Sequence, residues 1–186
     1  MGCGDKSDDG SGRADLHDTE DDSGGHGSQP GTLPDLRGEA EDPGGCEEVL
    51  GAAAAGAASM FFGEYEESDG AWVGEERWLL FANQTWRDLG GTDCVVVWSA
   101  EATQTDAPAC TGCDLGLQTT LTLDEGATTC DPAIVGGSDG TEAYGIARAS
   151  GGDATWYLAT TQERFGDGHH IDGALNFLTD PSCRWW

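Results

Sequence analysis

The stretch DLGLQTTLTLD, residues 114–124, decides the fold of this chain. Its leucines and Thr119 occupy alternate positions, so they share one face of an extended segment, and glycine, glutamine and threonine occupy the other face. An apolar alternation with a period of two is the pattern of a β-strand that buries one side. The stretch therefore predicts a strand. Residues 94–103 show the same alternation and predict a second one.

Further short runs of β-branched and aromatic residues are separated by clusters of glycine, aspartate and asparagine, as strands are separated by turns. They cover residues 60–66, 72–82, 142–149, 155–162, 172–178 and 184–186. The gaps suit hairpin loops better than crossover helices. We therefore predict an all-β fold, an antiparallel meander of seven or eight strands forming a small lipocalin-like barrel or a sandwich. Alanine-rich residues 46–58 predict one or two helical turns.

Composition divides the chain near residue 45. Residues 1–45 are rich in glycine, serine and aspartate and poor in large apolar residues, which predicts a disordered acidic tether before a β domain at residues 46–186. The first part contributes −9 and the second −18 to a net charge of −27. A surface this acidic repels phosphate backbones, so nucleic acid is excluded as a partner. We expect a soluble, monomeric domain.

Seven cysteines without a zinc-finger histidine pattern indicate an oxidising compartment. In an antiparallel hairpin, the numbers of opposed residues add to a constant. Cys94 and Cys130 give 224, and Cys110 and Cys113 give 223, so we predict these two disulfides around the central hairpin. The remaining pair, Cys46 and Cys183, would tie the start of the domain to its end. Two alternatives stay open: a four-thiolate zinc site formed by Cys94, Cys110, Cys113 and Cys130, and a redox role for the Cys110–Cys113 pair.

The amino terminus carries Gly2-Cys3-Gly4-Asp5, followed by the glycine, serine and aspartate tether. This start resembles the processed end of a bacterial envelope lipoprotein, in which the cysteine receives lipid. The resemblance implies that Cys3 is lipidated and anchors the chain to a membrane outside the cytoplasm, at the outer membrane or cell surface. The signal peptide would be absent from this sequence, because Met1 was added to the mature form or the start codon is placed too late. Myristoylation of Gly2 with palmitoylation of Cys3 is the alternative, although Lys6 stands where that motif has serine or threonine.

Two groups of residues are candidates for function. Trp72 and Trp78 are separated by an even number of residues, so they lie on the same face of a strand. Together with Trp98 and Trp156 they could bind a small apolar or sugar ligand inside a barrel, or they could form the core of the barrel. Asp167, His169, His170 and Asp172 include good metal ligands. However, adjacent residues of a strand point to opposite faces, and Asp167-Gly168 is a typical hairpin-turn dipeptide, so a polar turn is the competing interpretation.

These features predict a surface or periplasm-facing lipoprotein that is a non-enzymatic binding or structural module without a cofactor. The alternative is a metal-binding protein or enzyme centred on the aspartates and histidines of residues 167–172. A Gly-x-Ser-x-Gly match at residues 136–140 lacks the strand and helix that a serine nucleophile requires.

Overall fold

The structure, a computed structural model, describes residues 32–106, 110–131, 135 and 137–186. These residues form two short helices, α1 (Cys46–Leu50) and α2 (Gln84–Asp88). They also form nine strands: β1 (Gly56–Ser68), β2 (Ala71–Ala82), β3 (Cys94–Thr105), β4 (Leu115–Leu123), β5 (Gly140–Arg148), β6 (Asp153–Leu158), β7 (Arg164–Ile171), β8 (Ala174–Leu178) and β9 (Ser182–Trp185). No helix among the described residues is both long and apolar enough to cross a membrane.

Strands β1 to β8 form a closed antiparallel barrel. Each strand pairs with the next one along the chain, and β1 pairs with β8 as well as β2, which closes the sheet. The short β9 pairs with residues 56–59 of β1, whereas β8 pairs with residues 62–66 of the same strand. The predicted antiparallel meander is confirmed, and of the two architectures that the sequence left open the protein adopts the barrel.

One strand was not predicted. Residues 164–171 form β7, and the predicted hairpin turn at Asp167-Gly168 is wrong. Gly168 is buried within the strand, where an added Cβ would lie 1.9 Å from the carbonyl oxygen of Asn176 on β8. The glycine therefore permits a close approach of two strands and does not reverse the chain. The reversal comes at Asp172 and Gly173, where Gly173 has a φ of 75°.

The barrel interior is filled by large side chains, because the inward positions of its strands carry aromatic and aliphatic residues. Trp156 and Phe177 are fully buried, with ring centroids 4.7 Å apart, and Tyr144 meets Trp156 edge to face at 5.3 Å. Offset and edge-to-face contacts of this kind add to the stabilisation from burial. An eight-stranded barrel has an interior that side chains can fill, as they do here.

A segment before the predicted domain boundary also packs against the barrel. Leu36 is buried, Arg37 lies over the ring of Phe62 on the outer face of β1, and its guanidinium bonds to Glu64 at 2.8 Å. The side-chain amide of Asn176 donates to the carbonyl of Pro34 at 2.8 Å. Within residues 32–45, which we name the strap, Leu36 and Ala40 are thus buried against the rest of the protein. The tether prediction for residues 1–31 lies outside the described residues.

Three disulfides join the cysteines in the predicted pairs: Cys46–Cys183, Cys94–Cys130 and Cys110–Cys113. The four-thiolate zinc site is not supported, because Cys94, Cys110, Cys113 and Cys130 are all disulfide-bonded. The redox role of Cys110 and Cys113 stays a prediction, since an oxidised redox pair is also a disulfide.

The register behind this pairing was nevertheless wrong. Opposed residues of β3 and β4 have numbers that add to 221, as for Trp98 and Leu123. A turn at residues 124–128 then adds three residues on the side of the hairpin that follows β4. Beyond it, opposed residues have numbers that add to 224, as for Thr129, whose amide donates to the carbonyl of Val95 at 2.8 Å. This offset brings Cys130 beside Cys94.

Candidate functional site

The four tryptophans proposed to bind a ligand lie together inside the barrel. Trp72, Trp78, Trp98 and Trp156 are all buried members of one apolar cluster. Three of their indole nitrogens are hydrogen-bonded: Trp78 donates to the hydroxyl of Ser59, Trp98 to the carbonyl of Ser138 and Trp156 to the carbonyl of Asn176. These side chains pack as the core of the barrel, which was the alternative interpretation, and they do not present open faces to a ligand.

The residues of the proposed metal site are not brought together. The Asp167 carboxylate pairs with Arg164, and Asp172 lies in the turn after β7. His169 and His170 each approach Asp153, but Nδ1 of His169 is 3.6 Å from the Asp153 carboxylate, whereas Nδ1 of His170 is 3.2 Å from its backbone carbonyl. Within the part of the chain that the structure describes, no three His, Cys, Asp or Glu side chains are grouped as a metal ion requires.

The exposed apolar residues of the barrel gather at one end. Five large apolar side chains are exposed among the described residues, and four of them belong to or directly follow α1, α2 and β9: Val49, Leu89, Trp185 and Trp186. We name this region the end surface. Trp185 is 76% exposed and Trp186 45% exposed. A groove of about 460 Å³ beside them is lined by Leu50 and by residues 182–186.

Hydrogen bonds and one disulfide fix the elements of the end surface. Asn83 caps α2, because its side-chain oxygen accepts from the amide of Trp86 at 2.9 Å and its amide group donates to the carbonyl of Ala54 at 3.1 Å. The Trp86 ring then meets Trp186 with centroids 5.7 Å apart. The Cys46–Cys183 disulfide holds α1 against β9.

The end surface can contact the flat, weakly polar faces of a sugar or another apolar group. Exposed indoles suit such ligands because the ring offers a rigid apolar face and an N–H donor. Exposed apolar patches of this kind often mark interaction sites. Sequence reasoning placed Trp185 and Trp186 in a closing strand and not in a site, since nothing local distinguishes an indole that faces solvent from one that faces the core.

A second cluster lies inside the barrel and was not predicted. Glu76, on β2, is only 2% exposed. Its carboxyl group accepts a hydrogen bond from the hydroxyl of Tyr65, and the hydroxyl of Tyr144 lies 3.0 and 3.1 Å from its two oxygens. The hydroxyl of Thr119, on the inward face of β4, is buried next to Tyr65.

Burial controls the protonation of this cluster. It raises the pKa of Glu76 to about 7, although the hydrogen bonds from Tyr65 and Tyr144 act in the opposite direction. Burial, and then the neighbouring Glu76 carboxylate, raise the pKa of both tyrosines well above the ordinary value. The sequence does contain a signal for this site: Glu76 has the parity of Trp72 and Trp78, which places a carboxyl group on an inward face.

By its fold, the protein belongs to the class of small closed antiparallel barrels whose interior is filled by side chains, and three disulfides join its described residues. Comparison with protein families, with characterised proteins and with solved structures gives no match for this chain.

Proposed function

We propose that the chain is an extracytoplasmic lipoprotein whose disulfide-stapled barrel is a non-enzymatic binding or structural module. The observation that carries this proposal is the set of three disulfides in one small barrel, which is compatible with an oxidising compartment and unusual where thiols are kept reduced. The membrane anchor would be a lipid on Cys3, which lies outside the described residues.

The binding surface would be the outside of the barrel and not its interior. The four tryptophans first considered for a ligand are packed in the core, while Trp185 and Trp186 offer exposed indoles at the end surface. We therefore assign the small apolar or sugar ligand to the end surface. The acidic charge of the whole chain supports the exclusion of nucleic acid as a partner.

Intact mass spectrometry of the protein purified from its native membrane fraction tests the anchor and the compartment. We expect an added lipid mass that maps to the peptide containing Cys3. We also expect no free thiol among the other six cysteines before reduction and six after it. An unlipidated chain with four or more free thiols would contradict the proposal.

Binding of a panel of oligosaccharides and of octanol, followed by titration calorimetry, tests the end surface. We expect Trp185→Ala to weaken binding of any active member by at least about fivefold, because a stacked indole contributes about 1 kcal/mol or more. Val73→Ala is the matched control, since Val73 is the one exposed large apolar residue of the described set outside the end surface. Equal affinity in both variants would rule out the end surface as the binding site, and the lack of any binding would leave only the structural role.

A further inference from the structure

We propose that Glu76, Tyr65 and Tyr144 form a proton-binding cluster that makes the barrel most stable in acidic surroundings and less stable as the pH rises to neutral. The three side chains come from β2, β1 and β5, so the cluster joins strands on different sides of the barrel. It is part of neither the proposed anchor nor the end surface.

The cluster contains an acid without a cationic partner. Buried polar or charged side chains among the described residues are Ser59, Glu76, Thr119, Asn176 and Thr179. None of these is basic. A carboxylate that is removed from water is strongly disfavoured unless a positive charge compensates it. The protonated carboxyl group, by contrast, can donate to a tyrosine oxygen while its other oxygen accepts from the second tyrosine.

The groups around Glu76 include one negative charge and two neutral tyrosines, whose hydrogen bonds lower the pKa of Glu76 by less than burial raises it. From β1 it meets Tyr65, and from β5 it meets Tyr144 and the negative charge of Glu142, which raises the pKa of Glu76 further. From β4 the cluster meets only the hydroxyl of Thr119, next to Tyr65. Its direct partner on β3 is Trp98, which does not titrate.

One guanidinium, that of Arg184, lies 5.1 Å from the Trp78 ring at the end of the barrel, and it makes no hydrogen bond to Glu76.

The direction of the pH effect follows from the two states of Glu76. Its pKa is about 7 in the folded protein and near 4.5 when it is exposed, so the folded state holds a proton that the unfolded state has lost between these values. The stabilising contribution of the protonated cluster is therefore complete below pH 4.5. It falls between pH 4.5 and about 7 and changes no further above that range, where an unpaired negative charge remains inside the barrel.

Urea unfolding of the wild type and of Glu76→Gln between pH 4 and pH 9 tests the proposal. Glutamine keeps the shape and hydrogen bonds of the protonated acid but cannot ionise. We expect similar stability at pH 4.5, and at pH 9 a folding equilibrium constant about two orders of magnitude larger for the variant. Glu101→Gln, an exposed carboxylate on β3, is the control for the loss of one charge from a very acidic protein.

A difference between wild type and Glu76→Gln that does not change with pH would overturn the proposal, as would an equal change in Glu101→Gln. Where Glu76→Gln fails to fold, the ¹³C shift of the Glu76 side-chain carboxyl in the wild-type protein decides the matter. We expect that signal to titrate near pH 7, and a midpoint near pH 4.5 would overturn the proposal.

Discussion

At the scale of single residues, the barrel depends on positions where a side chain would collide with a neighbouring strand. Gly168 is the sharpest case, because the carbonyl oxygen of Asn176 occupies the place of its Cβ. The same carbonyl accepts the indole N–H of Trp156 at 3.2 Å. A methyl group at residue 168 would push against backbone and would disturb a hydrogen bond of the most buried tryptophan.

We expect Gly168→Ala to lower the free energy of unfolding by about 1–3 kcal/mol through overpacking. Gly140→Ala is the control, since Gly140 has open space around its Cβ position and lacks a positive φ. Its effect should stay within about 0.5 kcal/mol of the wild type. Urea unfolding measures both, and equal stability of the two variants would contradict the close approach of β7 and β8.

At the scale of elements, the strap completes the packing of β1 from outside. The inward face of β1 carries Tyr65, while Met60 and Phe62 on its outward face would meet water if the strap were absent. Leu36 is 4% exposed and lines the same groove as Met60. The strap therefore helps to bury the outward face of β1 around Met60 and Phe62, which fits the consecutive apolar residues at 60–62 of this strand.

We expect Leu36→Ala to destabilise the protein by about 2–4 kcal/mol, as in other buried Leu-to-Ala changes. Leu89→Ala, at an exposed leucine of the end surface, should change stability by less than about 0.5 kcal/mol. Thermal or urea unfolding distinguishes them. Small and equal effects would mean that the strap contributes no packing to the barrel.

At the scale of the whole molecule, the three disulfides restrain very different lengths of chain. Cys46 and Cys183 are separated by 137 residues and close nearly the whole domain, whereas Cys110 and Cys113 are separated by only 3. Loop closure lowers the entropy of the unfolded chain, and the effect grows with the logarithm of loop length. The long bridge also fixes α1 against β9, which are two of the three elements of the end surface.

Replacing both Cys46 and Cys183 by alanine should lower the free energy of unfolding by about 5 kcal/mol in the chain-entropy model. The corresponding change at Cys110 and Cys113 should cost about 2 kcal/mol. Urea unfolding without reductant measures both effects. A larger loss from the short bridge than from the long one would contradict this ranking.

The local pattern of the chain was sufficient for the fold class. Alternation in residues 114–124 and 94–103 identified β4 and β3, because a half-buried strand must place apolar side chains at every second position. Hairpin-length gaps then indicated an antiparallel meander, and the six cysteines besides Cys3 in a short chain indicated disulfides. The sequence likewise predicts that Trp72, Glu76 and Trp78 share one face of a strand, since they are separated by even numbers of residues.

Only the tertiary structure decided which surfaces those strands meet. The closure of the sheet through β1 and β8 depends on the curvature that builds up over eight strands. The place of Gly168 within a strand depends on the close approach of Asn176, which is 8 residues further along the chain. Whether Trp156 is core and Trp185 exposed depends on contacts between distant segments, and so does the burial that raises the pKa of Glu76. Local sequence sets the period of a strand, but burial, and with it the chemistry of a side chain, is set by what packs against it.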